Sequence, residues 1–333
     1  MHAARSASAF SIVDGHVHFI HPHQLQAVLD LMDAVPCSRF NLVCIPNLDG
    51  STTNSAAVFC KQRHPARTYI SGALDYRVTL ADPARGAQDL AAQIAGLKKA
   101  GFDGLKLIEG KPMVRKLLPY ALDGPLYAGM WAALEEAGLP VVFHVADPDV
   151  FWSADACPDW ARREGWDYSD GQYPTKEALY AEVDNILDRH PGLKIIFAHF
   201  YFLSHDLERA ARFFEAHPSV CFDLAPHMEM YLDFSQHPEA ARAFFMRYQD
   251  RIVYGTDIDT RVLERGPEGL RWMQSIPGLI RSFLETDAEF SLHEGPGAAR
   301  YHGLGLPVSV LEKVYHANFE RLYGPSPAEL HLF

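Results

Sequence analysis

A closed barrel of eight parallel strands, each followed by a helix, is the fold class the sequence predicts, and three observations lead to it. Eight short apolar runs rich in Val, Ile, Phe and Tyr recur along the chain, with longer helix-period segments between them. Strands separated by helices pair in parallel through right-handed crossovers, which leaves an open doubly wound sheet or a closed barrel. No Gly-x-Gly-x-x-Gly follows the first run, which weakens the dinucleotide-binding open sheet, and the count of eight favours closure.

In order, the expected strands cover 12–19, 40–46, 68–75, 102–108, 140–146, 194–200, 220–224 and 252–257. The expected helices cover 23–34, 83–100, 125–137, 175–189, 205–216, 238–248, 267–286 and 307–323. Gly101 and Gly138 stand just past two helices, where a left-handed residue ends the turn, and Pro140 and Pro191 discourage continuation. Thr175 supplies a hydroxyl cap. There is no internal repeat or low-complexity linker, so residues 1–333 are expected to form one domain. The stretch 147–174 after the fifth strand is long and carries Phe151, Trp152, Trp160, Trp166, Tyr168 and Tyr173. It reads either as a lid over the barrel mouth or as a small unit burying its own aromatic rings.

Composition narrows the function classes. A hydrophobic share of 48% and a charged share of 22% are those of an ordinary globular protein that can bury a large core. Disulfides and homo-oligomerisation are therefore not required for stability, although a homo-oligomer is compatible with this composition. The formal charge of −12 opposes a nucleic-acid surface, which needs clustered Lys and Arg. The five cysteines are odd in number and form no Cys-x-x-Cys pair, which suits a reducing compartment. No apolar run reaches the roughly 18 residues of a membrane span, and residues 1–11 lack a secretory signal. The expectation is a cytoplasmic protein with a small-molecule substrate and no membrane partner.

Among 17 histidines, position is what carries information. His16 and His18 are two apart in the first strand, and the strand period of two puts both on one face. His144 ends the fifth apolar run, His199 the sixth and Asp257 the eighth. Any one of these alone is more often a hydrogen-bonded structural residue. Five at C-terminal strand ends converge on the mouth of a barrel, where such folds do their chemistry. Three neutral imidazoles and a carboxylate suit a divalent metal, Zn²⁺ first, with Mn²⁺ or Fe²⁺ as alternatives.

The motifs Asp14-Gly-His-Val-His18, Val141-Val-Phe-His144, His190-Pro-Gly-Leu-Lys-Ile-Ile-Phe-Ala-His199, Val253-Tyr-Gly-Thr-Asp257 and Ala317-Asn-Phe-Glu-Arg-Leu-Tyr-Gly324 follow one another in this order. With them the chain resembles the amidohydrolase-related family of metal-dependent barrels, in the branch that includes aromatic-acid decarboxylases. The resemblance implies that His16, His18 and His144 hold the metal, and that Asp257 binds it or its water and moves protons. It makes His199 a ligand of a second metal or a polarising acid/base. Lys106, in Gly104-Leu-Lys-Leu, occupies the strand where dinuclear relatives carry a carbamylated lysine. An ordinary ion pair of Lys106 with Asp257, Glu109 or a substrate carboxylate is the stronger expectation. Many relatives follow the sixth-strand histidine with a small residue and Gly, whereas this chain has Phe200-Tyr201-Phe202. Phe200 and Trp152 are therefore candidate ring contacts for substrate, and Tyr76 with Arg77 a candidate anchor for an acid.

Function follows from the resemblance in two versions. The first is a hydrolase in which metal-bound hydroxide attacks the carbonyl of an ester, lactone or amide, with Asp257 as proton carrier. The alternative is a non-oxidative decarboxylase of an aromatic or unsaturated carboxylic acid, using the same residues. A barrel that binds metal without catalysis is a further alternative.

Overall fold

The computed structural model describes residues 10–35, 37–227, 229–292 and 298–331. Its central sheet is made of β1 (Ile12–His18), β2 (Cys37–Val43), β3 (Thr68–Gly72), β4 (Gly104–Gly110), β5 (Val141–Val145), β6 (Ile195–Phe197), β7 (Cys221–Asp223), β8 (Ile252–Val253) and β9 (Ile258–Asp259). Each pairs in parallel with the strand before and after it, from β1 through β8, and β9 pairs in parallel with β1. β8 and β9 are two stretches of one continuous run, so the same segment bonds to β7 at its start and to β1 at its end. Between them, the Gly15 N–H donates to the Tyr254 carbonyl (2.9 Å) and the Asp257 N–H to the His16 carbonyl (2.9 Å). This is the predicted barrel, with its eighth strand broken near its C-terminal end.

Closure at this seam depends on small residues. A Cβ at Gly15 would lie 3.0 Å from the Tyr254 carbonyl oxygen, and one at Gly255 would lie 3.1 Å from the His16 Cβ. Both glycines let β1 and the eighth strand approach closely where the first histidine sits.

The barrel interior is filled by Val13, Val43, Tyr69, Val142, Ile196, Cys221 and Val253, together with Phe319, Leu322 and Tyr323 from the last helix, Asn318–Tyr323. That helix plugs the N-terminal end, so the mouth at the C-terminal end is where a ligand can enter. The outward-facing strand residues, such as Leu105, Leu107, Val141 and Phe143, pack on the surrounding helices. Alternation fixes the rest: Lys106 and His144 point inward on the same side as Val142, as the strand period of two requires.

The predicted caps are present. Thr175 accepts from the Ala178 N–H at 3.1 Å, and Gly101 and Gly138 are left-handed (φ +87° and +65°). Among the helices that were not predicted are Asn54–Arg63 and Met230–Gln236. The first has no clear apolar stripe, and the second is only two turns long. The last predicted helix is interrupted by a wide turn at Lys313–Ala317, where the Val314 carbonyl accepts the Tyr254 N–H (2.9 Å). All five cysteines are buried and unpaired. No helix among the described residues is long and apolar enough to cross a membrane. Residues 1–9, where a leader was judged absent, lie outside the described residues.

Candidate metal centre

His16, His18 and Asp257 meet at the barrel mouth, each with a donor atom within 4.8 Å of the others. Asp257 Oδ1 lies 3.3 Å from His16 Nε2 and 3.2 Å from His18 Nε2. Asp257 itself is left-handed (φ +54°), as are Ala146 at the end of β5 and His199 to Phe202 after β6. Non-glycine residues pay strain in this region, and such strain concentrates at sites the rest of the fold over-determines. For His199–Phe202 the restraints are visible. Asp223 accepts the His199 N–H (2.7 Å), the Tyr180 hydroxyl donates to the Tyr201 carbonyl (2.7 Å), and Lys176 donates to the Phe202 carbonyl (3.1 Å).

Hydrogen bonds fix which ring nitrogen is free in His16, His144 and His199. His16 Nδ1 lies 2.8 Å from Asp223 Oδ2, and Lys106 Nζ stands 3.1 Å from His16 Nε2. A lysine donates, so Nε2 holds the lone pair and Nδ1 the proton. His199 Nδ1 faces the Ala225 carbonyl (3.1 Å) and His144 Nε2 faces the Ala146 carbonyl (2.9 Å). A carbonyl only accepts, so those nitrogens carry protons, and His199 Nε2 and His144 Nδ1 are the free ones. His18 Nδ1 is buried without a hydrogen-bond partner.

Electrostatics favour neutral imidazoles beside an ionised carboxylate. Burial, then Lys106, pushes His16 well below its ordinary range. Burial, reinforced by Lys111, also lowers His144, and burial brings His199 down to about 3. Burial alone would raise Asp257, but His16, His18 and His199 outweigh it and hold the carboxyl well below the usual carboxylate range. Burial also lowers Lys106 to about 8, against the pull of Asp257 and Asp223.

The donor set fits a divalent cation. A neutral imidazole lone pair facing a carboxylate oxygen at 3.3 Å sets two acceptors against each other, an arrangement a cation relieves. Ligands bound at about 2.0–2.1 Å in a tetrahedral shell lie roughly 3.4 Å apart, close to the separations seen here.

The other expected residues fall into three groups. His144, His199 and Lys106 line the same pocket; the His144 and His199 rings lie 4.9 Å apart, and His199 lies 5.5 Å from His16. The His144 nitrogens are not part of the His16–His18–Asp257 cluster, and Nε2 is directed at Ala146 and Asp147. Lys106 makes no direct ion pair with Asp257 or Glu109; its hydrogen-bond contact is His16. Tyr76 lines the pocket and its hydroxyl donates to Glu109 (2.6 Å). Three expected substrate contacts lie elsewhere. Arg77 is exposed and bonds Asp75, because a two-residue spacing at a helix start lets it fold back. Phe200 is fully buried among Phe222, Phe234, Phe244 and Phe245, because the left-handed turn aims it outward from the barrel. Trp152 packs inside the 147–174 insertion and donates to the Pro174 carbonyl (3.1 Å).

The mouth divides into two lobes that share Lys111, His144, Trp166, His199 and Asp257. One, of about 440 Å³, has apolar walls including Ile45, Leu80, Ile108 and Val114. The other, of about 610 Å³, is lined by aromatic residues, with Phe151, Trp160, Phe202 and Tyr231 among them. The insertion is a small unit with its own core of Phe151, Cys157, Ala161 and Tyr168, and it also walls the second lobe.

Asp223, Lys111 and Asp147 were not anticipated. Asp223 ends an apolar run in the seventh strand, the same mark that singled out Asp257, and was passed over. Lys111 and Asp147 sit in loops after strands, and nothing local distinguishes them.

A family model described as amidohydrolase matches residues 70–324. No curated protein matches the chain. Among solved structures, the chain is similar to 4-oxalomesaconate hydratase from Rhodopseudomonas palustris (13% identity, 94% of this chain and 95% of that one, TM-score 0.58). It is also similar to 5-carboxyvanillate decarboxylase from Sphingomonas paucimobilis (13%, 95% and 99%, TM-score 0.54). A third likeness is a dihydroxybenzoic acid decarboxylase from a Polaromonas species, with bound manganese and 2-nitroresorcinol (13%, 95% and 97%, TM-score 0.51). At these identities the likeness is one of fold.

Proposed function

The chain belongs to the amidohydrolase family, and from that premise we propose that it is a metal-dependent, non-oxidative decarboxylase of an aromatic or unsaturated carboxylic acid. This places the decarboxylase ahead of the hydrolase that the sequence alone favoured. The observation that carries the reading is Lys106. It is a buried ammonium at the base of a largely apolar lobe, with no carboxylate among the described residues within ion-pairing distance. A buried charge needs a partner, and a substrate carboxylate supplies one. The decarboxylases among the similar solved structures support the same choice.

In this reading His16, His18 and Asp257 hold the metal, with His144 as a further ligand through Nδ1. The metal, when bound, supplies the positive charge that orients the oxygen atoms of the substrate. Lys106, with its pKa near 8, is largely charged at neutral pH and binds the carboxylate. Ile45, Leu80, Ile108 and Val114 enclose the unsaturated body and keep water from it. Asp257, ionised at rest, takes up a proton from solvent or a substrate hydroxyl and passes it to the carbon that bears the carboxylate. The new C–H bond takes a π pair of the unsaturated body; the carbon–carbon bond then breaks, CO₂ leaves, and its bonding pair restores the π bond. His199 Nε2, free beside the cluster, accepts a hydrogen bond from the substrate.

The test is a panel of phenolic acids, unsaturated acids, lactones and amides assayed with metal-loaded protein. CO₂ release from an acid, lost on chelation, is expected; turnover of lactones or amides without any CO₂ would replace this reading with the hydrolase.

A further inference from the structure

Asp147 begins the 147–174 insertion and is almost wholly buried. Its two oxygens take four contacts. Lys111 Nζ donates to Oδ1 (2.6 Å) and Oδ2 (2.8 Å), the Tyr168 hydroxyl donates to Oδ2 (2.6 Å), and His144 Nε2 reaches Oδ1 (3.2 Å). A carboxylate has about four lone-pair sites, so this one is saturated. Tyr168 stands at the centre of the insertion's own core, 5.0 Å from the Trp152 ring and 4.8 Å from that of Tyr173, and its N–H donates to the Phe151 carbonyl (2.7 Å). A second strut runs alongside, with the Lys111 ammonium 4.1 Å from the centre of the Trp166 ring.

We propose that Asp147 is a positioning residue that couples the order of the 147–174 insertion to the His144 imidazole. The coupling rests on the reading in which His144 takes part in the metal centre. When the insertion is packed, Tyr168 and Trp166 hold Asp147 and Lys111 in place. Asp147 and the Ala146 carbonyl then keep the proton of His144 on Nε2 and the lone pair on Nδ1. When the insertion opens, a buried carboxylate loses its hydroxyl donor and Lys111 loses its aromatic support, so the pair rearranges and the His144 ring loses its fixed orientation. Partners of this kind behind a metal-binding histidine typically change affinity by about 10–100-fold. Linkage requires the converse as well: a metal bound through a fixed His144 stabilises the packed insertion.

The experiment is a double-mutant cycle between Tyr168→Phe and His144→Ala, read as Zn²⁺ affinity of the metal-free protein and as hydrogen exchange of residues 159–168 with and without Zn²⁺. Tyr168→Phe keeps the ring in its core and removes only the hydroxyl. It is expected to weaken Zn²⁺ binding about 10-fold in the native background and less than about twofold in His144→Ala. Zn²⁺ is expected to slow exchange in the insertion of the native protein and to do so far less in either variant. Native Zn²⁺ affinity in Tyr168→Phe, or an equal loss in both backgrounds, would overturn the coupling while a weakened His144→Ala left the metal centre standing. Native affinity in His144→Ala would remove His144 from the centre and the coupling with it.

Discussion

Asp223→Asn replaces one oxygen by an NH₂ group, and the geometry determines which one. Oδ1 accepts two backbone N–H groups, from His199 at 2.7 Å and Ala225 at 3.1 Å. Oδ2 faces His16 Nδ1 at 2.8 Å. The asparagine keeps its carbonyl on the two backbone donors, since the opposite orientation would strand both in a buried site. The NH₂ then meets the His16 Nδ1–H, donor against donor. His16 escapes by moving its proton to Nε2, which removes the lone pair directed at the metal cluster. Loss of such a supporting carboxylate is expected to weaken metal binding about 10–100-fold, or about 1.4–2.7 kcal/mol. If the tautomer does not change, the buried clash instead costs about 1–3 kcal/mol of folding stability. Titration of the metal-free variant with Zn²⁺ against a chromophoric chelator, with urea unfolding of the same preparation, reads both quantities. Native affinity together with native stability would refute the role assigned to Asp223 and the tautomer inferred for His16.

Asp257→Asn retains shape but removes the proton-accepting charge, so turnover should fall by at least about 100-fold while most of the metal stays bound; metal content and rate on one preparation check it, and a loss only in proportion to metal would make Asp257 a ligand alone. Lys106 has a folded pKa of about 8, below its ordinary 10.5, so between these values the unfolded chain holds the extra proton. Stability of the metal-free protein relative to Lys106→Met should therefore shift in favour of the native protein as pH rises through this window, and a flat difference would contradict the burial of a charged Lys106. Phe200→Ala, in a fully buried ring cluster, should cost about 3–5 kcal/mol of stability and leave the KM of the folded enzyme unchanged. Trp166→Ala should raise KM, because that ring walls both lobes.

The parts of the fold that repeat a strong local signal were legible in the sequence. Strand runs such as 140–146 and caps such as Thr175 and Gly101 carry their own chemistry, and the strand period placed His16 and His18 together. Less legible were elements whose reason is tertiary. The sixth strand stops at Phe197 because the next residues turn left-handed around His199, pinned by Asp223, Tyr180 and Lys176, three residues distant in sequence. That turn sends Phe200 into the core and leaves Phe202 at the second lobe, the reverse of what adjacency suggests. Lys111, Asp147 and Tyr168 are joined only when the insertion folds back onto the barrel, and no spacing along the chain announces this contact.

The central claim is tested most directly by running the reaction of the metal-loaded protein in D₂O and following the product by NMR while CO₂ is collected. Decarboxylation with Asp257 delivering a solvent-derived proton places one deuteron on the carbon that lost the carboxylate, one for each CO₂ released. Both signals should disappear together on chelation and in Asp257→Asn. Turnover that yields a new carboxylate or alcohol, with no CO₂ and no deuterium on carbon, would contradict the account.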